Sequence, residues 1–286
     1  MKTVHAEEKK MSQLPFPEKQ DQIKKLLEPI DNRLLSCSEK FIRLQVRKPI
    51  DRLLSGRIPF FDSMKPQYEW FNIYSVYSAN QQLNEACNKL WATVELANVT
   101  SAEVWKKNYF PIGENFSRTF LLGTLIPTLH YSQLSAVISI LSIFGCIPVI
   151  VNKKPFFLIR TKSGWGLFYR PTYIRDELGI SSHGWHEQII RTYDELGRRG
   201  IRLPSLNIKK ILALKDLRNS MHYEILGDLR MSRAFKSRKA YSKYLQSVIS
   251  TIDVAVENLS KVKKITSGCD ARLENLKNNF KKLQLG

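Results

Sequence analysis

Apolar residues recur at helical spacing through most of this chain. In residues 17–54 and again in 67–97 they return every three or four positions, which predicts helices that bury one face. The same spacing predicts helices over 183–197, from about 206 to 223, and from about 235 to 265. Residues 1–16 lack this pattern and are expected to be a flexible lead-in.

The middle of the chain is unusually apolar, since residues 119–152 contain no Lys, Arg, Asp or Glu. Its densest part, 134–151, reaches the length of about 18 apolar residues at which a membrane span becomes a candidate. A buried core helix is the alternative that we favour, because Gly145 and Pro148 should end the helix early. Three serines at helical spacing also predict a small face packed on another helix: Ser135, Ser139 and Ser142.

A short β element is predicted next. Residues 155–160 and 165–170 are apolar and aromatic, and they flank a turn that ends in Gly164. Residues 147–151 could add a third strand. The fold class is therefore mainly α, a helical bundle with a small inserted β-hairpin or three-stranded antiparallel sheet. We expect a flexible lead-in, an N-terminal helical region, a β insert and a basic C-terminal helical bundle, at 1–16, 17–152, 153–180 and 181–286.

The net charge of the chain and its distribution indicate what kind of partner the chain binds. The net charge is +19, and residues 153–286 hold 27 of the 45 basic residues. Folding brings these like charges close together, and their mutual repulsion opposes the compact state. A nucleic-acid backbone offsets this repulsion, because its phosphates pair with basic residues and release counterions. The expected partner is nucleic acid, RNA more than DNA. An acidic membrane surface, an acidic protein and plain solubility remain alternatives.

Several function classes lack their motifs. The four cysteines include no CxxC pair, so neither a structural zinc site nor a disulfide framework is expected. Glycine-rich phosphate loops, nucleophile elbows and HExxH motifs are also missing from the sequence. We expect no metal and no cofactor. The polar N-terminus does not resemble a signal peptide, and a cytoplasmic location is expected.

One short motif could carry chemistry. Arg218 and His222 are four positions apart, which places them on one face of a helix. Arginine offers a planar set of donors to phosphate oxygens, and histidine can move a proton near neutral pH. Asn219 follows the arginine directly.

In this order, Arg218, Asn219 and His222 resemble the motif of the HEPN superfamily of helical bundles. The helix before the motif and the long helix after 235 resemble that family as well, although the spacing from Arg to His is one residue shorter than usual. The resemblance implies a metal-independent endoribonuclease that works as a homodimer. It implies that His222 is the general base or acid, that Arg218 stabilises the phosphorane, and that Asn219 orients the phosphate or the histidine.

A basic stretch with interleaved aromatic residues follows the motif. Cations there could hold a backbone while tyrosines stack on unpaired bases. The candidate nucleic-acid-binding residues are Arg230, Arg233, Lys236, Arg238, Lys239, Tyr241, Lys243 and Tyr244. The leading hypothesis is an RNA-binding, HEPN-like endoribonuclease. A non-catalytic nucleic-acid-binding or scaffold protein and a membrane-associated helical protein are the alternatives.

Overall fold

The computed structural model describes residues 65–99, 116–151, 153–161, 164–181, 184–223 and 238–262. The predicted lead-in and the predicted helices in 17–54 lie outside these residues. Six helices are present in the described part: α1 Lys65–Val99, α2 Phe116–Ile143, α3 Arg170–Thr172, α4 Trp185–Arg198, α5 Ile208–Tyr223 and α6 Arg238–Val262. A π-helical turn, Tyr173–Glu177, continues α3. The mainly α prediction is confirmed.

A three-stranded antiparallel sheet accompanies the helices. Its strands are β1 Cys146–Val151, β2 Lys154–Thr161 and β3 Gly164–Tyr169, in the order β1-β2-β3. Helix α2 ends at Ile143, and Gly145 then adopts a φ of 78°, which is open to glycine and lets the chain turn into β1. The three-stranded alternative is therefore the one that the structure shows.

The described residues pack as two compact units. The sheet unit holds the described residues up to Gln81, those from Ile138 to Pro204, and 261–262, while the helical unit holds 82–137 and 205–260. Each unit therefore takes segments from both halves of the sequence. The boundaries expected at 152 and 180, which divide the chain into consecutive regions, stay predictions.

Hydroxyl groups join α1 and α2 within each unit. In the sheet unit, Ser139 Oγ donates a hydrogen bond to Ala79 O at 2.8 Å, and Ser75 Oγ donates to Ser142 O. In the helical unit, Ser132 Oγ donates to Ala86 O at 2.8 Å. Small side chains allow the two helix backbones to approach this closely. Of the predicted face of serines, Ser139 and Ser142 thus contact α1, and Ser135 is buried.

The apolar middle of the chain is largely interior. Thr124–Ile143 is long and apolar enough to cross a membrane by length and composition, and 89% of an apolar 18-residue window in it is buried within the protein. A helix in a protein core is expected to be covered in this way. The burial favours the core-helix alternative for these residues.

The centre of the sheet unit is the middle strand. Phe157, Leu158 and Ile159 are almost fully buried, so both faces of β2 are covered. The Phe157 ring meets the Tyr173 ring edge-on with centroids 6.0 Å apart. Beside it, Arg170 is buried with its guanidinium carbon 5.4 Å from the centre of the Trp185 ring. Burial lowers the pKa of Arg170 to about 10.

Because of Cys146, the first residue of β1, the protein should become less stable at alkaline pH. Burial raises the pKa of its thiol from 9.0 to about 12. The folded state keeps this proton while the unfolded state releases it above pH 9, so the contribution is present below pH 9 and is lost as pH rises from 9 to 12. Linkage gives a loss of about 1 kcal/mol in the free energy of unfolding between pH 8 and 9.5.

Urea unfolding of the wild type and of Cys146→Ala at these two pH values measures this loss. The variant should show the smaller dependence on pH, because it has no thiol at this position. Equal pH dependence in the two proteins would show that the Cys146 thiol is not the cause.

Candidate nucleic-acid site

Helix α5 carries the candidate motif in the helical unit. Asn207 precedes the helix and caps it, since its Oδ1 accepts a hydrogen bond from Lys210 N at 3.1 Å. Ile211 and Leu214 are buried and hold α5 against the core of the unit. The motif follows in the last turns of this helix.

Arg218 is held by two polar neighbours. Its Nη2 donates a hydrogen bond to the hydroxyl of Tyr131 at 2.8 Å, and its Nη1 donates to Asn219 Oδ1 at 3.0 Å. The guanidinium carbon also lies 5.5 Å from the centre of the Tyr131 ring. These contacts fix the plane of a half-buried guanidinium at the end of α5.

Tyr131 brings a second cation to the same place. Lys89 Nζ lies 5.3 Å from the centre of the tyrosine ring and forms an ion pair of 2.6 Å with Glu85. Cations are attracted to the face of an aromatic ring. We call Lys89, Tyr131, Arg218 and Asn219 the Arg218 cluster. It joins residues from α1, α2 and α5, and two cations lie within 6 Å of the centre of one tyrosine ring.

His222 lies on α5 one turn after Arg218, as the spacing predicts. The structure describes its backbone within the helix, while its imidazole is outside the described side chains. Arg218 and Asn219 are thus brought together, and the position of the His222 side chain stays a prediction.

The basic stretch is described in part. Arg230, Arg233 and Lys236 lie outside the described residues, and α6 begins at Arg238, so that Arg238 and Lys239 form its start. Their side chains are also outside the described part. Lys243 is exposed and Tyr244 is half-buried, which suits both for contact with a ligand.

Tyr241 does not have the expected exposure. Its side chain is 0% exposed, and burial holds the pKa of its hydroxyl well above the usual value. Tyr241 lies four and seven positions before Leu245 and Val248, which are also buried, so its ring belongs to the apolar face of α6. In this conformation the ring is covered and cannot stack on a base.

Lys243 and Tyr244 line an open groove of about 730 Å³ between the start of α5 and the middle of α6. Two lysines outside the predicted set of binding residues, Lys209 and Lys210, lie on its other side. We call this the lysine groove. The sequence signal for them was a pair of lysines two and three positions after a cap residue, Asn207, but nothing in the sequence showed that α6 lies opposite.

Among the described residues, no three His, Cys, Asp or Glu side chains are grouped as a metal site would require. His186, three positions after His183 in the sequence, packs beside Trp185 with ring centroids 5.1 Å apart. His183 lies outside the described residues.

Comparison with known proteins finds no matching family model, curated protein or solved structure. The class defined by the fold is a basic, mainly α protein with a small antiparallel sheet. Its candidate functional features are the Arg218 cluster and the distribution of charge.

Proposed function

We propose that this protein binds RNA and cleaves it as a metal-independent, HEPN-like endoribonuclease. The observation that carries the proposal is the Arg218 cluster, in which Tyr131 and Asn219 orient the guanidinium one helical turn from His222. An arginine with a fixed plane can present its donors to phosphate oxygens in a defined geometry.

The proposed reaction uses the 2′-hydroxyl of the substrate as the nucleophile. His222 takes the proton of this hydroxyl, the 2′-oxygen attacks phosphorus, and the bond from phosphorus to the 5′-oxygen breaks. A proton from the second motif of a homodimer, or from water, goes to the departing 5′-oxygen. The products end in a 2′,3′-cyclic phosphate and a 5′-hydroxyl.

Arg218 and Asn219 also have roles in this reaction. Arg218 stabilises the negative charge that develops on the phosphorane, and Asn219 orients the phosphate or the histidine. Such electrostatic and acid–base contributions are worth roughly 10²–10⁴-fold each. Lys89 lies beside the same tyrosine ring, but its ion pair with Glu85 offsets its charge, so Arg218 carries the attraction for the phosphate.

A non-catalytic nucleic-acid-binding protein is the second candidate. The contact of Arg218 with Tyr131 favours it, because this hydrogen bond also serves simply to fasten α5 to α2. In this case the same positive surface binds RNA, but nothing cleaves it.

Full-length protein, labelled single-stranded RNA and a DNA strand of the same sequence, all in EDTA, separate the two candidates. We expect RNA to be cut and DNA to remain whole, since DNA lacks the 2′-hydroxyl. The affinity for both strands should fall steeply with salt, because phosphate contacts release counterions. RNA that is bound but never cut would leave only the binding protein, and cleavage of both strands would contradict the proposed chemistry.

A further inference from the structure

We infer that the lysine groove binds the backbone phosphates of single-stranded nucleic acid and stacks one unpaired base on Tyr244. The inference rests on the RNA binding proposed above, but not on cleavage. The groove measures about 730 Å³. Pockets for small ligands span roughly 300–1,000 Å³, so a nucleotide unit fits a space of this size.

The charge around the groove is of one sign. Lys209 and Lys210 reach it from α5, Lys243 reaches it from α6, and all three are exposed. None of the described residues that line it is acidic. A concave surface with three cations and no carboxylate concentrates positive potential where a phosphate can enter.

The beginning of α5 adds to this potential. The first turn of the helix contains no acidic residue, so none of its own carboxylates offsets the positive end of the helix dipole. Backbone N–H groups at such an end suit phosphate. This contribution supports the three lysines and would not define a site by itself.

The floor of the groove is held in place. Ser247 and Thr251 line it from α6, and Gln133 of α2 donates from Nε2 to Thr251 Oγ1 at 3.1 Å and to Ser247 Oγ at 3.3 Å. Thr251 Oγ1 in turn donates to Ser247 O at 2.9 Å. Because Gln133 is fully buried, these bonds fix hydroxyl groups at the bottom of a site that is open to a ligand.

Tyr244 makes single-stranded nucleic acid the favoured ligand. Its half-buried ring lies on the wall next to Lys243. An aromatic side chain next to cations can stack on an unpaired base, whereas the bases of a duplex already stack on one another. Loss of one such stack lowers affinity by roughly 5- to 100-fold, the equivalent of about 1–3 kcal/mol.

The lysine groove lies along the same helix as the proposed catalytic motif. Lys210 and Arg218 lie on the same helix, eight residues apart, which corresponds to about 12 Å along its axis. A strand held in the groove therefore has its neighbouring nucleotides within reach of the end of α5. Binding in the groove and cleavage at the end of α5 are nevertheless separate properties.

The first test measures the affinity of full-length protein for a short labelled RNA at several salt concentrations. The protein carries His222→Ala in every case, so that cleavage does not disturb binding. A triple variant replaces the groove lysines: Lys209→Gln, Lys210→Gln and Lys243→Gln. The matched control replaces three exposed basic residues of the sheet unit: Lys153→Gln, Lys154→Gln and Arg202→Gln.

We expect the groove variant to bind roughly 100-fold more weakly at 0.1 M salt and its salt dependence to be shallower by about 2 in log–log slope, since each phosphate contact of a single strand contributes about 0.7. The control should change much less. Equal losses in the two triple variants, or no binding of RNA by the parent protein, would overturn the inference.

The second test concerns Tyr244. We expect Tyr244→Ala to weaken binding of single-stranded RNA roughly 5- to 100-fold, Tyr244→Phe to restore it, and binding of double-stranded RNA to stay the same in both variants. Equal effects on the two RNA forms would contradict base stacking. If RNA binding depends on the groove residues but no RNA is cleaved, only the proposed nuclease activity is contradicted. If RNA is cleaved but its binding does not depend on the groove residues, only this inference is contradicted.

Vesicles that contain phosphatidylserine separate nucleic acid from an anionic membrane. The groove variant should show no selective loss of vesicle binding. Loss of vesicle binding with unchanged RNA affinity would assign the groove to a membrane surface and overturn the inference.

Discussion

Replacement of His222 by alanine is expected to lower the rate of RNA cleavage by roughly 10²–10⁴-fold while the affinity for RNA stays unchanged. In the proposed reaction His222 moves the proton of the 2′-hydroxyl, and alanine cannot. Phosphate contacts do not depend on this proton transfer, so binding is retained. Single-turnover cleavage and equilibrium binding should be measured on the same preparations.

His186→Ala provides a control, because it removes a different histidine, one that is half-buried on α4 of the sheet unit. It should leave the cleavage rate unchanged. Equal thermal stability of the two variants would exclude unfolding as a cause. If His222→Ala cleaves as fast as the wild type, the activity does not come from the α5 motif.

The second large effect concerns stability, and it follows from the burial of Phe157. Phe157→Ala is expected to lower the free energy of unfolding by about 3–5 kcal/mol, because it leaves a cavity in a closely packed interior. It also removes the ring that meets Tyr173 and lies 5.9 Å from the Arg170 guanidinium carbon. Since small proteins are stable by only about 5–15 kcal/mol, much of the stability would be lost.

Phe156→Ala is the control for this effect. Phe156 is the adjacent residue of β2, its side chain points to the opposite face of the strand, and it is partly exposed. The same truncation should therefore cost much less. Urea unfolding of both variants gives the comparison, and similar losses would show that the interior of the sheet unit is not centred on Phe157.

Much of the fold could be predicted from local sequence. Helices α1, α4, α5 and α6 follow apolar spacing, and their ends lie within a few residues of the expected positions. The break at Gly145 also acted as expected, because it depends on neighbours within a few positions. Local patterns of this kind are fixed by the period of the helix or strand.

The site was less predictable, because its contacts are distant in sequence. Tyr131 lies 87 positions before Arg218, and it is the residue that orients the guanidinium. Lys209 and Lys243 likewise come to line the same groove only after α5 and α6 have packed. No period in the sequence encodes which helices become neighbours.

Tyr241 shows the limit of composition as a guide. It is interleaved with lysines and arginines, which favoured a binding role, yet it also continues the apolar stripe of Leu245 and Val248. Burial of an aromatic ring yields more free energy than exposure next to charges, so the stripe decided its position. The helical period should therefore be applied before aromatic residues are assigned to a surface.

The termini of the products test the central claim most directly. Full-length protein is incubated with single-stranded RNA in EDTA, and the fragments are analysed by mass spectrometry. The proposed chemistry predicts fragments that end in a 2′,3′-cyclic phosphate and begin with a 5′-hydroxyl. RNA that stays whole, or fragments that carry a 5′-phosphate, would contradict it.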